Sequence, residues 1–431
     1  MDAHTRCNPW RVRGVERYPV IGPGGVIRGW QVTGGDFTAV YGPDGSLEKL
    51  VFWVEPGRGL DATRYYDAEA QCLVVGGAAY PVWRMLEDIP WRPAYVSETV
   101  QGYVEWVGGR LREEGVRMGA RVLVNFSGGK DSMATLYIVA ELSDTYGFEP
   151  HAAYVHVWPL EPERNARFAE RAARSLGAEY HGLEADRAYM ESRLRRTGLP
   201  YRGARWCTYQ KLKPLKMLRK ELFPDYVAQG ERLLESWKRF RRLHQLSRRP
   251  RLTTGGMMRP IYVTSLLDVA RMTRHTGHIH PDYLAGHPRV ACLACPYRSL
   301  HEFPPGWVDE LPDPGVVEEA LKATYRLRGF GEKGISYEDY LSQNLWRYHV
   351  EEAYRLYRLR RLLEAEGVEE VDASTVNLGY RSLWTGEEPV ARVVDPEEFL
   401  AECVERLTPI LERVRRALEE GAACLAKTSM A

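Results

Sequence analysis

The chain has 431 residues and a mass of 49.3 kDa, which is enough for two or three domains with cores of their own. Its formal net charge is +1 and its mean hydropathy is −0.41, and no apolar run reaches the roughly 18 residues of a membrane helix. Composition therefore argues against a membrane-spanning protein. The first residues carry no charged-then-apolar signal pattern, so we expect a cytoplasmic location. The excess of Arg over Lys, with few Asn and Gln, suggests a heat-adapted source.

Residues 1–96 predict a small β-rich N-terminal domain. Short runs of β-favouring residues, separated by glycine-rich turns, lie at 26–32, 37–41, 50–54 and 73–75. Cys7 and Cys72 lack the spacing of metal ligands, so we interpret both as packing residues.

Residues 97–304 predict an α/β domain. A helix is expected at 97–118, and apolar strands at 122–126, 152–157 and 178–183 alternate with helical patterns that start near 133 and 162. This order predicts a parallel, Rossmann-like sheet with helices on both faces. Ligands of such sheets bind beyond the carboxyl ends of the strands. His156 ends the second strand there, where it would either border an adenine or pack as an ordinary strand-end residue.

A tight turn follows the first of these strands, at residues 127–132. Gly128 and Gly129 carry no Cβ, so a ligand can approach the backbone closely. Ser127 and Ser132 offer hydroxyl groups and Lys130 a positive charge. The following helix directs its positive end and its first N–H groups to the same point. The pattern predicts a binding site for a phosphate chain.

The sequence Ser-Gly-Gly-Lys-Asp-Ser in this turn resembles the PP-loop of the ATP pyrophosphatases, which cleave ATP between the α and β phosphates and adenylate a substrate. The resemblance implies that Ser127, Gly128, Gly129 and Ser132 hold pyrophosphate. It further implies that Lys130 neutralises the phosphate charge and that Asp131 helps to place Mg²⁺.

Two later stretches, at 202–215 and 230–239, resemble segments of the phosphoadenosine phosphosulfate reductase family. This family and the ATP pyrophosphatases with a PP-loop are both adenine nucleotide alpha-hydrolase-like proteins, so the two resemblances agree. The resemblance implies that Lys211, Arg232 and Arg239 contact phosphate or sulfate oxygens and that Glu235 orients Arg232. Arginine suits such anions because its planar fork bonds two oxygens at once.

Cys292 and Cys295 close a third segment that resembles the same family, and Cys207 lies in the first of the two motifs. Trp206 stands where the family usually has a second cysteine, which leaves three thiols. Three thiolates hold either a [4Fe-4S] cluster with one open iron or a zinc ion completed by a histidine. The resemblance favours the cluster. Structural or disulfide-bonded cysteines are the third alternative, and the histidines available to zinc are His275, His278, His280 and His287.

Residues 202–251 contain fifteen Lys or Arg against four acidic residues. This segment is either a solvated face or the binding surface for a nucleic-acid backbone. From about residue 305 the sequence predicts a helical C-terminal region, with helices at 314–327, 337–366 and 396–420. This region would serve as a cap or as an oligomerisation region, so a homodimer is one possible assembly.

These features favour an ATP-dependent sulfurtransferase that adenylates an acceptor, a tRNA or a DNA, and receives sulfur from sulfide or a donor protein. The alternative is a reductase that releases sulfite from adenylyl or phosphoadenylyl sulfate. That reaction requires a nucleophilic thiolate, for which Cys424 is the terminal candidate. A nucleotide-binding scaffold without catalysis is the second alternative.

Overall fold

A computed structural model describes residues 17–67, 72–81, 94–235, 239, 242–243, 251–405, 408–409, 412 and 416. Cys7, Cys424 and much of the predicted helix 396–420 lie outside these ranges. The strands are β1 Tyr18–Ile21, β2 Ile27–Gly34, β3 Phe37–Tyr41, β4 Leu47–Glu55, β5 Arg58–Asp61, β6 Tyr66–Asp67, β7 Cys72–Val75, β8 Ala78–Pro81, β9 Ala94–Tyr95, β10 Arg121–Asn125, β11 Glu149–His156, β12 Glu179–Glu184, β13 Tyr226–Ala228, β14 Thr253–Thr254, β15 Met257–Met258, β16 Glu370–Asp372 and β17 Arg392–Val393. The α-helices bounded within the described residues are α1 Val100–Glu113, α2 Lys130–Glu141, α3 Ser143–Tyr146, α4 Glu163–Ser175, α5 Arg187–Thr197, α6 Cys207–Leu222, α7 Leu266–His275, α8 Pro281–Leu284, α9 Pro314–Leu327, α10 Tyr337–Ser342, α11 Val350–Ala365 and α12 Ala373–Thr385.

The central sheet has the strand order β12-β11-β10-β13-β15-β14, and all neighbours are parallel except β14 and β15. Val122 and Val124 on β10 pack in the cluster that includes α1, α2 and α4, while Leu123 between them packs with Leu218 of α6. Helices therefore cover both faces, as the alternation of side chains along a strand requires. The predicted α/β fold and its β10-α2-β11-α4-β12 order are confirmed.

The N-terminal strands form an antiparallel sheet in the order β1-β2-β3-β4-β5, and β16 from the C-terminal region adds a sixth strand beside β5. Strand β17 likewise pairs with β9. Neither pairing could be predicted from the sequence, because the added strands are only two or three residues long and lie far along the chain from their partners. The predicted domain boundaries near 96 and 304 stay predictions, and backbone pairing crosses both of them.

A buried ion pair also joins these regions. Arg347 is fully buried and donates two hydrogen bonds to the Asp36 carboxylate, at 2.7 and 2.9 Å. The hydroxyl of Tyr348 and the backbone N–H of Leu300 donate to the same carboxylate, at 2.8 and 3.1 Å. Burial of a charge costs several kcal/mol unless it is paired and hydrogen-bonded, and here both conditions are met.

Replacing Asp36 by alanine is therefore expected to lower the free energy of unfolding by about 3–5 kcal/mol, because Arg347 would keep its charge in the interior without a partner. Chemical denaturation of the purified variant measures this. Asp44→Ala, in an exposed turn of the same sheet, is the control and should leave stability nearly unchanged. Equal stability of the two variants would contradict the assignment.

The predicted continuous helix at 337–366 is wrong. Helices α10 and α11 are separated by residues 343–349, in which Asn344 has a positive φ of 46°. The side-chain oxygen of Asn344 accepts hydrogen bonds from the indole N–H groups of Trp307 and Trp346, at 3.1 and 3.0 Å. These tertiary contacts override the local helical pattern. Among the described helices, none combines the length and apolar character required to cross a membrane.

Candidate nucleotide site and thiol cluster

The glycine-rich turn joins the carboxyl end of β10 to the first residue of α2, as predicted. Gly128 has a φ of +72°, which favours glycine, and Gly129 is the N-cap of α2. The hydroxyl of Ser132 closes the turn, since it accepts from the Ser127 N–H at 3.1 Å and donates to the Gly129 carbonyl at 2.9 Å. Ser127 is exposed and Ser132 is buried. The Ser132 hydroxyl thus holds the turn from inside. Ser127 is exposed and Gly129 half-buried, so a ligand can reach the turn at these two residues, whereas Gly128 is buried.

Asp131 pairs with two cations at the start of α2. Its Oδ1 accepts from Arg232 Nε at 2.6 Å and its Oδ2 from Lys130 Nζ at 2.9 Å. Burial works against ionisation, but the charges of Arg232 and Lys130 hold the pKa of Asp131 well below its usual range. The structure thus unites three of the predicted catalytic residues, and Asp131 is a hydrogen-bond partner that orients Arg232.

Glu235, the fourth predicted catalytic residue, pairs with Arg239 Nε at 3.2 Å. Burial and the negative charge of Asp131 raise the pKa of Glu235. The carboxylates of Asp131 and Glu235 thus lie near enough to repel each other, and a divalent cation between them would relieve that repulsion. Mg²⁺ binds proteins through one or two carboxylates together with substrate phosphates, so this donor set fits Mg²⁺.

Gly230 follows β13, and a side chain larger than that of glycine would not fit at this position. A Cβ at this residue would lie 2.8 Å from the backbone carbon and oxygen of Asp131 and 3.0 Å from the backbone nitrogen of Ser132. Because β13 is the parallel neighbour of β10, the segment after it crosses directly over the first turn of α2. This close approach carries Arg232 to Asp131.

We expect Gly230→Ala to weaken ATP binding at least tenfold and to cost about 1–3 kcal/mol of stability, because the added methyl group meets backbone atoms that cannot turn aside. Nucleotide titration and thermal unfolding measure the two effects. Gly109→Ala is the matched control, since Gly109 lies inside α1 and a Cβ added there would meet no atom within 4 Å among the described residues. Wild-type ATP affinity in Gly230→Ala would contradict the role of this contact.

Two residues of the segment before the cysteines border the loop, and sequence reasoning assigned neither of them to the nucleotide. The Tyr283 hydroxyl accepts from the Lys130 backbone N–H at 2.9 Å, and its ring stacks on Trp384 of α12 at 4.4 Å. His280 Nδ1 accepts from the Asp282 N–H at 3.1 Å, so its buried Nε2 carries the proton, and it has no hydrogen-bond partner among the described residues. Burial lowers the pKa of His280 to about 4. A neutral donor therefore lies beside Gly128.

A second polar group follows β11. Glu161 is buried, accepts from the Tyr154 hydroxyl at 2.9 Å, and lies 3.6 Å from Lys211 Nζ. His156 Nε2 lies 2.9 Å from the Glu161 backbone oxygen, to which it can only donate. Burial works against protonation of Lys211, but the neighbouring Cys292 and Glu161 raise its pKa. The structure therefore places Lys211 beside the cysteines and Glu161, and its predicted contact with phosphate stays a prediction.

The three predicted cysteine ligands converge. Cys207 is the first residue of α6. Cys292 and Cys295 lie in one turn, in which the Cys295 N–H donates to the Cys292 carbonyl at 3.2 Å. Burial and the Cys295 thiol raise the pKa of Cys207 to about 11. Burial and Glu161 raise the pKa of Cys292, and both other thiols contribute. The three thiols would thus repel one another as anions, and a bound metal ion would favour their thiolate forms.

The spacing of the thiols bears on which metal they could hold. Tetrahedral zinc at about 2.3 Å from each sulfur would bring sulfur atoms to about 3.8 Å from one another. Among the described residues, the three cysteines do not form a group whose ligand atoms all lie within 4.8 Å, with or without a histidine. The three thiols therefore lack the preformed spacing of a tetrahedral zinc site. Three cysteines are also a ligand set that fits a [4Fe-4S] cluster with one iron open.

Arg298 organises the turn that carries Cys292 and Cys295. It is fully buried, donates to the Cys292 carbonyl at 3.1 Å and to the Ala291 carbonyl at 3.0 Å, and pairs with Asp282 at 2.7 Å. The same arginine therefore links the cysteine turn to the helix that borders the loop. No sequence signal marked it.

The structure describes only part of the basic segment, and Lys238, Arg241, Arg248 and Arg249 fall outside it. Glu231 is buried and pairs with Arg239, Arg242 and Arg259. With Glu235, which also pairs with Arg239, two carboxylates face three guanidinium groups, so a positive excess of one remains among these five residues. The exposed side of α6 adds Lys213, Lys216 and Lys220.

The parallel sheet and the loop with its paired lysine and aspartate define a nucleotide-binding α/β domain of the PP-loop class. Residues 121–298, which include this loop and the three cysteines and make up less than half of the chain, match the phosphoadenosine phosphosulfate reductase domain family. Its members are nucleotide-utilising enzymes.

An uncharacterized protein of Methanocaldococcus jannaschii is 28% identical over 240 residues, which are 53% of this chain and 45% of the relative. The chain thus spans about half the length of the curated relative that it matches. Among solved structures, the U34-tRNA thiolase NcsA of Methanococcus maripaludis with its [4Fe-4S] cluster is 16% identical and aligns over 62% of this chain and 80% of that chain, with a TM-score of 0.32. The NAD+ synthetase of Burkholderia pseudomallei is 17% identical over 53% of this chain and 93% of that chain, with a TM-score of 0.27. Scores this low support no inference about function.

Proposed function

We propose that the protein is an ATP-dependent sulfurtransferase that adenylates a nucleic acid, a tRNA or a DNA, and replaces the activated oxygen with sulfur. The observation that carries the proposal is the position of two sites at one edge of the central sheet. The loop with Lys130, Asp131 and Arg232 adjoins the segment that carries two of the three thiols, since Val290, two residues before Cys292, borders Gly129. An acceptor could reach both sites.

In the first step, an acceptor oxygen attacks the α phosphorus of ATP. The bond to the oxygen that bridges the α and β phosphates breaks, and pyrophosphate leaves with the electron pair. Ser127, Gly128, Gly129 and Ser132 would position the β and γ phosphates, and Lys130 would turn from Asp131 to the charge that develops on the leaving group. Arg232, kept charged and oriented by Asp131, would hold the same phosphates. Arg239 would contact phosphate oxygens, and the ring of His156, whose Nε2 donates to the Glu161 carbonyl, would border the adenine.

In the second step, hydrosulfide, supplied as such or released by a donor protein, attacks the adenylated atom. The bond from that atom to sulfur forms, its bond to the adenylate oxygen breaks, and AMP leaves with the electron pair. Cys207, Cys292 and Cys295 would hold the [4Fe-4S] cluster. When bound, the cluster would supply an iron without a cysteine ligand at which sulfide can be held. Lys211 lies beside these thiols and Glu161, so its positive charge would stabilise incoming sulfide.

The exposed side of α6 supports a nucleic-acid acceptor. This helix begins at Cys207, and Tyr209 and Phe223 leave 62% and 81% of their surface exposed. Lys213, Lys216 and Lys220 are exposed along the same helix. Lysines bind the phosphate backbone, and exposed aromatic rings stack on bases.

Pyrophosphate release from ATP, measured with tRNA, with DNA and without either, tests the proposal against sulfite release from adenylyl and phosphoadenylyl sulfate. We expect pyrophosphate release that depends on one nucleic acid, and no sulfite. Sulfite release would establish the reductase instead. Nucleotide binding without either product would establish the scaffold.

A further inference from the structure

A cluster of two histidines and a glutamate lies away from the nucleotide site. His151 is near the start of β11, and Glu179 and His181 are on β12, the edge strand of the described central sheet. In the parallel register, His151 is opposite Glu179, and His181 is opposite Ala153. The loop and the thiols lie at the carboxyl ends of these strands, whereas this cluster lies near their amino ends.

The ligand atoms of the three side chains form a compact triangle. His151 Nδ1 and His181 Nε2 are 2.9 Å apart, His151 Nδ1 is 3.4 Å from Glu179 Oε2, and His181 Nε2 is 3.7 Å from Glu179 Oε1. Ligands at about 2.0–2.1 Å from a tetrahedral zinc ion are about 3.3 Å from one another, so the three edges bracket that value. No other group of three such side chains among the described residues is this compact.

We propose that His151, Glu179 and His181 form a second metal site, which binds a divalent first-row transition metal ion and fits Zn²⁺ best. Two imidazoles and one carboxylate are a ligand set that zinc accepts, with the fourth position left to water. The side chains of His151 and His181 are only 8% and 17% exposed, whereas that of Glu179 is 66% exposed. An ion can therefore enter from the side of Glu179 and reach preformed, stacked imidazoles whose planes differ by 24°.

The surrounding charges permit a cation. Arg121 carries a guanidinium group whose charge acts on His151, and it is engaged with Glu149 at 3.1 Å and with the Leu222 carbonyl at 2.9 Å. A bound ion would join β12 to β11 by coordinate bonds. This would fasten the edge of the sheet to the strand that carries His156 at its other end, so the site would act on stability rather than on the reaction.

Titration of the full chain with Zn²⁺, followed by calorimetry, tests this site, and Co²⁺ absorption identifies the ligands. Glu179→Gln and His181→Ala are expected to lose one class of site, with affinity reduced about 100-fold or more. They should also lose the rise in thermal midpoint that Zn²⁺ causes in the wild type. Glu184→Gln, on the same strand but outside the triangle, should behave as wild type.

Glu179 is exposed, so its substitution leaves the fold intact and the comparison valid. Thiolate ligands give Co²⁺ an intense charge-transfer absorption that nitrogen and oxygen ligands do not. A Co²⁺ spectrum made of thiolate bands alone, or identical Zn²⁺ isotherms for Glu179→Gln and Glu184→Gln, would overturn the proposal.

Discussion

Replacing Lys130 by alanine is expected to reduce pyrophosphate release about 100- to 1000-fold at saturating ATP, the usual loss when one preorganised charge is removed from a transition state. Lys130 begins α2, is buried, and pairs with Asp131 at 2.9 Å. Its removal leaves Arg232 paired with Asp131, so no buried charge is stranded and the fold should survive. Pyrophosphate release under single-turnover conditions is the measurement.

Lys322→Ala is the matched control, because Lys322 lies on the exposed side of α9 and pairs with Glu319 at 3.4 Å. It should keep the catalytic rate of the wild type. A Lys130→Ala variant that turns over ATP as fast as Lys322→Ala would remove the loop from the mechanism.

Replacing Cys292 by serine is expected to abolish sulfur transfer and to lower bound iron from about four atoms per chain to a small fraction of that. A serine hydroxyl does not replace a thiolate as a soft ligand for iron. Pyrophosphate release should persist, since the loop residues are untouched. Iron content, visible absorption after anaerobic reconstitution, and thiolated product measure the three effects.

Cys72→Ser serves as the control, because Cys72 is buried in β7 and far along the chain from the three thiols. It should retain iron and activity. If Cys292→Ser binds as much iron as Cys72→Ser, the cysteines do not hold a cluster. Loss of pyrophosphate release together with iron would show instead that the metal supports the fold of the nucleotide site.

Local sequence determined the central part of this protein. The apolar run at 122–126, the glycine turn after it and the helical spacing that follows are short-range patterns, and they correctly predicted β10, the loop and α2. The order of later strands and helices predicted the parallel sheet for the same reason. The family motifs brought Arg232 and the three cysteines into consideration, although they are up to 165 residues from the loop.

Tertiary structure alone decided how these residues meet. Asp131 pairs with both Arg232 and Lys130 because Gly230 lets two backbone segments touch. Arg298 shapes the cysteine turn through five backbone and side-chain partners that no sequence spacing reveals. Glu161 could have been proposed, since it follows the carboxyl end of β11, but its partners could not.

The sequence by itself thus determined where strands, turns and helices form in the nucleotide-binding part, because those depend on neighbours along the chain. Packing decided four other features. These are the break at Asn344, the added strands β16 and β17, the buried ion pair of Asp36 and Arg347, and the triangle of His151, Glu179 and His181. Each depends on side chains that are distant in sequence or on strand register, and local periodicity encodes neither.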